Sequence, residues 1–363
     1  MGQGENAKVD LTSMNIEELT GYFTGIGEKA FRAKQVYQWL HQKLATDSGE
    51  MTSLPVDLRE RIGRQCRLDT LKQVECQVSK QDGTRKYLFA LLNKEPNAAA
   101  YFIESVLMKY KFGNSVCISS QAGCRMGCKF CASAIGGLSR SLHVSEMLGQ
   151  VYHISRDIGE RISHVVVMGT GEPLDNYENL IKFIEMISDE KGLNISQRNI
   201  TVSTCGIVPN IYRLAEKKFQ ITLALSLHAA SQETRLSLMP VAQKYKLPDV
   251  MKACDAYFAK TGRRITYEYS LVHGQNDTKE DAAKLGALLK GKNCHLNLIP
   301  VNPVRERSYK QPGASDMAAF KKELEKNGIN VTIRRELGRD IDGACGQLRK
   351  RYSKAISAAR GLE

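Results

Sequence analysis

With 363 residues, 42% of them hydrophobic, the chain can bury at least one full core and is long for a single average domain, so one large catalytic domain with a small accessory unit is expected. Lys and Arg number 52 against 39 Asp and Glu, a formal charge of +13 that favours a polyanionic partner, nucleic acid first, although charge alone fits a merely basic enzyme equally well. No stretch reaches the length of an apolar membrane span, the opening MGQGENAKVDL has no apolar signal core, and Asn6 spoils a myristoylation motif at Gly2, so a cytoplasmic protein without membrane association is expected.

Residues 15 to 67 read as helical: IEELTGYF, EKAFRAKQVYQWLHQKL and PVDLRERIGRQC are broken at Gly25, Gly27, Gly49 and Pro55. The middle segment sets Phe31, Val36, Tyr37, Trp39 and Leu40 at core-face spacing, with Lys29, Arg32, Lys34 and Lys43 on a solvated face. A small helical accessory unit, residues 1–80, is expected, with RNA contact by its basic side as a secondary reading. Lys86 to Leu92 and Ala99 to Lys109 are strand-like around the turn NKEPNA, a hairpin leading, over residues 81–110, into the main domain. Strands at SVCISS, SHVVVMG, RNITVST, QITLALSL, RITYEYSLV and CHLNLIPV then alternate with helices. Six β/α units imply parallel strands with crossover helices. The expected fold is therefore α/β, a partial (β/α)6 TIM-like barrel over residues 111–345, followed by a basic tail at 346–363.

Ten cysteines in a chain with no signal point to metal or redox chemistry rather than disulfides. Cys66, Cys76, Cys254 and Cys294 lie in ordinary segments and read as small buried hydrophobes. Cys124, Cys128 and Cys131 form a CxxxCxxC loop just after the first barrel strand. Three thiolates on so short a loop can hold three irons of an iron-sulfur cube and leave the fourth open. Structural zinc is the competing reading, but it closes with four ligands, and no further His or Cys stands at a familiar spacing in this loop. At the C-terminal ends of later strands, where a barrel places its site, stand Gly171 and Glu172, Ser203, Ser226 with Leu227 and His228, and Asn302. Each taken singly reads as an ordinary strand end or tight turn.

The CxxxCxxC spacing, with Phe130 before the last cysteine, resembles the radical SAM superfamily. Cys117 in VCISSQAGC and Cys345 in DIDGACGQL extend the likeness to its RlmN and Cfr group, over roughly residues 20 to 350. The resemblance implies one 4Fe-4S cluster on Cys124, Cys128 and Cys131, with exchangeable S-adenosylmethionine (SAM) at the open iron. It implies SAM binding by Gly171, Glu172, Ser203, Ser226, Leu227, His228 and Asn302, with two SAM used per turnover. It further implies Cys345 as the methyl carrier, an S-methylcysteine, Cys117 as its resolving partner through a transient disulfide, and Glu104 in YFIESVLM as a proton acceptor. Departures from the group's usual pattern are Gly343, Val301, Thr170 and Cys205, none of which removes a functional side chain.

By the same resemblance the substrates are adenine 2503 of 23S rRNA and adenine 37 of tRNA, methylated at C2. Such a ring carbon is electron-poor and has no lone pair for an electrophilic methyl, so a 5′-deoxyadenosyl radical route is implied. The implied partners are 23S rRNA, tRNA and an external electron donor such as flavodoxin or ferredoxin, with the chain a monomer. Arg349, Lys350, Arg351, Lys354 and Arg360 suit either an RNA-facing helix or a solvated terminus. A Cfr-type enzyme would methylate C8 instead, but Pro173 after Glu172 and LIPVNP around Asn302 favour C2. A zinc-containing RNA-binding protein would leave Cys117 and Cys345 without a role, and a radical SAM enzyme for small molecules or peptides would leave the basic charge unexplained.

Overall fold

The structure is a computed structural model that describes residues 8–92, 101–302, 304, 306–341 and 348. Strand β1 (Val9–Asp10) leads into helices α1 (Ile16–Gly25), α2 (Ala30–His41) and α3 (Val56–Gln65), and β2 (Cys66–Arg67) returns parallel to β1. Helix α1 begins at a capping box: the Asn15 side chain accepts from Glu18 N at 2.9 Å and the Glu18 carboxylate accepts from Asn15 N at 2.8 Å. Leu19, Phe23, Ala33, Val36, Tyr37, Leu40, Leu58 and Ile62 close the small core. Of the aromatics that the helical spacing assigned to this face, Phe31 lies outward and Trp39 packs against the core. Phe31 is 48% exposed under the Arg32 guanidinium, and half-buried Trp39 carries the Lys43 ammonium 3.7 Å above its ring.

An antiparallel run follows, β3 (Leu71–Val78), β4 (Arg85–Leu91), β5 (Phe102–Tyr110) and β6 (Gly113–Cys117). Next, β7 (Gln121–Gly123) and β8 (Leu138–Ser141) pair only with each other. The β/α repeat then runs α4 (Val144–Ile158), β9 (Ile162–Val167), α5 (Tyr177–Ser188), β10 (Ile200–Thr204), α6 (Val208–Glu216) and β11 (Thr222–Ser226). It continues through α7 (Gln232–Leu238), α8 (Leu247–Thr261), β12 (Ile265–Leu271), α9 (Lys279–Leu289), β13 (Cys294–Pro300), α10 (Ala314–Lys326) and β14 (Val331–Ile333).

One ten-stranded sheet has the order β14-β13-β12-β11-β10-β9-β6-β5-β4-β3. It is parallel from β6 to β14 and antiparallel from β6 back to β3. Its end strands are not paired to each other, so the barrel is open, as six β/α units require. The six expected strands are β6 and β9 to β13, and the expected hairpin is β4 with β5. Strands β3 and β14 were not read from sequence. A bulge between Gln73 and Glu75 breaks the alternation of β3, and β14 spans only three residues. The parallel strands are apolar on the packed positions, with Val165, Val167, Val202, Leu223, Leu225, Tyr267, Leu296 and Leu298 buried under the helices.

The helical unit is joined to the barrel by polar contacts as well as by apolar packing. Tyr37 OH donates to Asp189 Oδ2 at 2.6 Å, Ser145 Oγ donates to Asp10 Oδ2 at 2.6 Å, and His41 Nδ1 lies 2.8 Å from Tyr152 OH on α4. His41 is fully buried, its Nε2 has no partner among the described residues, and burial pushes its pKa down to about 3. The folded state thus holds His41 neutral below the ordinary histidine pKa of about 6.5, where the unfolded chain takes up a proton. Stability is unaffected above that pH and falls as pH drops towards about 3, by about 1.4 kcal/mol per pH unit from this group. Denaturant titrations between about pH 6 and pH 4 should show a shallower acid loss in His41→Leu, and identical slopes would contradict this.

Candidate active site

The cysteine loop is a closed excursion between β7 and β8. Cys124 N donates to Gly137 O at 2.9 Å, Lys129 N to Leu238 O at 2.9 Å, and Cys131 N to Cys128 O at 3.2 Å. Gly123 holds φ +87 where a side chain would run into the carbonyl of Gly137, so the hairpin closes at this pair of glycines. On the loop's exposed side, Arg125 pairs with Asp175 at 2.5 Å, and Asp175 also accepts from Gln121 Nε2 at 3.0 Å. Burial pushes the Cys124 thiol up to about 12 and the Cys128 thiol higher still, and each is raised further by the charge of its neighbours, Cys131 and Glu172 among them. Three thiols on one short loop, Cys124 buried and Cys128 and Cys131 half-buried, are a poor arrangement for bare thiolates, which would repel one another. They are a good one for a cationic group, which deprotonates a coordinating thiol outright. The donor set therefore fits an iron-sulfur cluster.

The loop after β9 packs against this hairpin. Ser120 N and Gln121 N both donate to Thr170 O, at 3.0 and 3.1 Å. Gly171 has φ +114, and a Cβ there would lie 2.7 Å from the Cβ of Gln121. Its lack of a side chain thus serves the approach of two chain segments. Glu172 is buried, with Oε1 accepting from Leu174 N at 3.0 Å and Oε2 from Cys205 N at 2.7 Å. Burial raises its pKa while these N–H groups oppose the rise.

A cavity of about 200 Å³ opens at the C-terminal ends of the strands, lined by Cys131, Ser203, Ser226, His228 and Asn302 among others. The structure thus brings together five of the sequence-derived residues from the cysteine loop and three strand ends. Gly171, Glu172 and Leu227 lie outside the lining, and Leu227 is fully buried with its N–H on Glu268 O at 3.0 Å. His228 has φ +54, and its Nδ1 accepts from Ser270 N at 2.9 Å, which leaves the proton on Nε2. Burial lowers its pKa to about 3, so the ring is a neutral donor, stacked edge-on at 4.9 Å to Phe130 of the cluster loop.

Sequence reasoning missed Glu268, Ser270 and Arg334, which also line the cavity. The fifth barrel strand, ITYEYSL, carries Glu268 and Ser270 two residues apart and therefore on one face, a signal that could have found them. Glu268 Oε2 accepts from Asn297 Nδ2 at 3.0 Å, and burial raises its pKa against the opposing charge of Arg334. Cys117 is buried at the end of β6, in register with Val106 of β5 and Val166 of β9. Glu104 on β5 is buried rather than exposed, and its carboxylate lies 3.1 Å from the Lys86 ammonium of β4. Cys345 and the basic segment after residue 348 lie outside the described residues.

An open parallel barrel with a three-cysteine loop after its first strand defines the radical SAM class of enzyme. Residues 118–286 match the Radical SAM superfamily, and residues 9–68 match the Ribosomal RNA large subunit methyltransferase N-terminal domain. The chain is similar to the "Probable dual-specificity RNA methyltransferase RlmN" of Lachnospira eligens, 58% identical over 352 residues, 97% of this chain and 99% of that one. The protein of the same description from Lachnoclostridium phytofermentans is 58% identical, with 97% of each chain covered. A crystal structure of a radical SAM methyltransferase from Sphaerobacter thermophilus superposes with a TM-score of 0.88 at 39% identity, over 93% of this chain and 98% of the other. The chain belongs to the RlmN family of radical SAM RNA methyltransferases, whose cofactors are SAM and a 4Fe-4S cluster.

The Lys86 to Glu104 pair supplies a test of the β4 to β5 register, which buries Glu104. Lys86→Met alone strands a buried carboxylate and should cost about 3–5 kcal/mol in denaturant unfolding. The double variant Lys86→Met/Glu104→Leu should recover most of the loss, and additive losses would contradict a buried pair.

Proposed function

We propose that this chain methylates C2 of adenine 2503 in 23S rRNA and of adenine 37 in tRNA, using two SAM per turnover. The observation that carries the reading is the placement of Cys131 in one cavity wall with Ser203, Ser226, His228 and Asn302. Cys124, Cys128 and Cys131 would hold one 4Fe-4S cluster, which with SAM on its open iron supplies the 5′-deoxyadenosyl radical.

The chain's own residues hold and orient the reactants. The Glu172 carboxylate uses two acceptor positions on backbone N–H groups and keeps others for the ammonium of SAM. Ser203, Ser226 and Asn302 offer polar atoms to the adenosyl moiety, and the neutral His228 ring offers its Nε2–H, fixed by Ser270 N. The Gly171 and Leu227 backbones hold the flanking turns. Cys345 accepts a methyl group at sulfur, a displacement suited to a soft thiolate, and later passes that carbon to adenine. For that transfer the S-methyl group gives one hydrogen to the deoxyadenosyl radical before its carbon bonds to C2. The Cys117 thiolate then bonds to the Cys345 sulfur as the S–C bond breaks, the released carbon takes up a proton, and the electron that generated the radical is given back, leaving a transient disulfide and the free product. The C2 proton leaves to Cys117 or to Glu104, which the Lys86 ammonium holds in place.

A base modified this way is extruded from its stack, and the +13 formal charge suits the phosphates around it. We infer that residues 1–80 form the accessory RNA-binding unit, 81–110 the lead-in hairpin, 111–345 the catalytic core and 346–363 a basic tail. The protein works as a cytoplasmic monomer with flavodoxin or ferredoxin as electron donor. Among the described residues no helix is long and apolar enough to cross a membrane.

Anaerobic reconstitution with iron and sulfide, incubation with SAM, reductant and unmodified RNA, and mass spectrometry of digested nucleosides test this reading. A 2-methyladenosine product that disappears in Cys345→Ala is expected. Formation of 8-methyladenosine, or no methylated adenine from a protein with its cluster intact, would contradict it.

A further inference from the structure

Arg235 on α7 is the largest fully buried side chain of the molecule's described part. Its Nη2 donates to the carbonyl of Cys205 at 2.6 Å and approaches that of Ser226 at 3.4 Å. Its Nε and Nη1 have no hydrogen-bond partner among the described residues. The ionisable groups that face it there are the thiols of Cys205, Cys128 and Cys254, with neutral His228 on another side. A guanidinium does not give up its proton inside a protein, so this is a fixed positive charge in a low-dielectric wall. Burying such a charge without an anion is costly.

The surroundings say where the anion belongs. The carbonyl of Leu238, the last residue of α7, accepts from Lys129 N at 2.9 Å, so the helix that carries Arg235 is bonded directly to the cysteine loop. The carbonyl that Arg235 grips belongs to Cys205, whose own N–H is held by Glu172 at 2.7 Å. The guanidinium therefore stands behind the loop, within electrostatic range of the Cys128 sulfur, and bound to the backbone that positions Glu172.

We propose that Arg235 is a positioning residue that sets the reduction potential of the iron-sulfur site. The inference rests on the reading of Cys124, Cys128 and Cys131 as cluster ligands. Reduction adds one electron from a low-potential flavin or iron-sulfur donor, breaks no bond and moves no proton, so the negative charge of the site rises by one. A fixed cation close by favours the reduced form and raises the potential, since net charge near a cluster is one of the terms that sets it. Its Nε and Nη1 meet no anion among the described residues.

The test is a redox titration followed by electron paramagnetic resonance, on reconstituted parent, Arg235→Met and Arg235→Lys proteins matched for iron and sulfide content. Arg235→Met should lower the reduced-to-oxidised ratio at fixed potential about tenfold, which is about 59 mV for one electron. In Arg235→Lys the buried ammonium can lose its proton, so its potential should match the parent at low pH and fall as pH rises, while the parent stays level. Equal potentials in parent and Arg235→Met would overturn the proposal. If Arg235→Met holds no cluster, Arg235→Lys decides alone: a midpoint that falls with pH supports the proposal and a level one overturns it. A parent that takes up no cluster would instead sink the ligand reading itself.

Discussion

Three thiols within eight residues of chain, one buried and two half-buried, repel one another as soon as they ionise, and the segment from Cys124 to Cys131 is tied down on several sides. The β7 to β8 pairing closes the loop at its base, Lys129 N ties its far side to the end of α7, and Arg125 fastens its outer edge to Asp175. Much of the surrounding structure follows from that confinement. The loop after β9 must come close to residues 120 and 121, which requires glycine at 171. That approach places Glu172 under the loop, where two backbone N–H groups keep a buried carboxylate in place.

The parallel sheet does the rest by direction alone. Because neighbouring strands run the same way, the chain leaves each at one end of the barrel, and polar side chains there converge from strands far apart in sequence. Ser203, Ser226, His228, Glu268, Ser270 and Asn302 reach one cavity by this route. Their placement is tightened by the turn after β12. Asn276 donates to the carbonyls of His228 and Ser270 and accepts from Val272 N, so two strand ends are held by one buried amide. This also explains the positive φ of His228, a strained conformation that the surrounding bonds impose.

The barrel was legible because apolar runs such as SHVVVMG and ITLALSL recur with helices between them, and each ends on polar residues. The cysteine loop was legible because Cys124, Cys128 and Cys131 lie within one short segment. What escaped reading lacks either property. The bulge in β3 destroys its period, and the short β14 has none. Phe31 kept helical spacing but is exposed beneath Arg32 rather than covered by the core, a pairing of charge and ring that apolar periodicity does not register. Arg235 carries no sequence signal of its own, and only the packing of α7 against the Cys205 turn shows it to be fully buried. The pairing of Glu104 with Lys86 likewise depends on the register between two strands.

The central claim is that Cys124, Cys128 and Cys131 bind three irons of a four-iron cluster and leave the fourth to SAM. Mössbauer spectroscopy of protein reconstituted with isotopically enriched iron, before and after SAM is added, addresses it most directly. The account predicts that one iron in four changes its signal on SAM addition, and that replacing any of the three cysteines by alanine abolishes the cluster. A spectrum in which all irons are indifferent to SAM, or a protein that takes up one zinc ion and no iron-sulfur cluster, would contradict it.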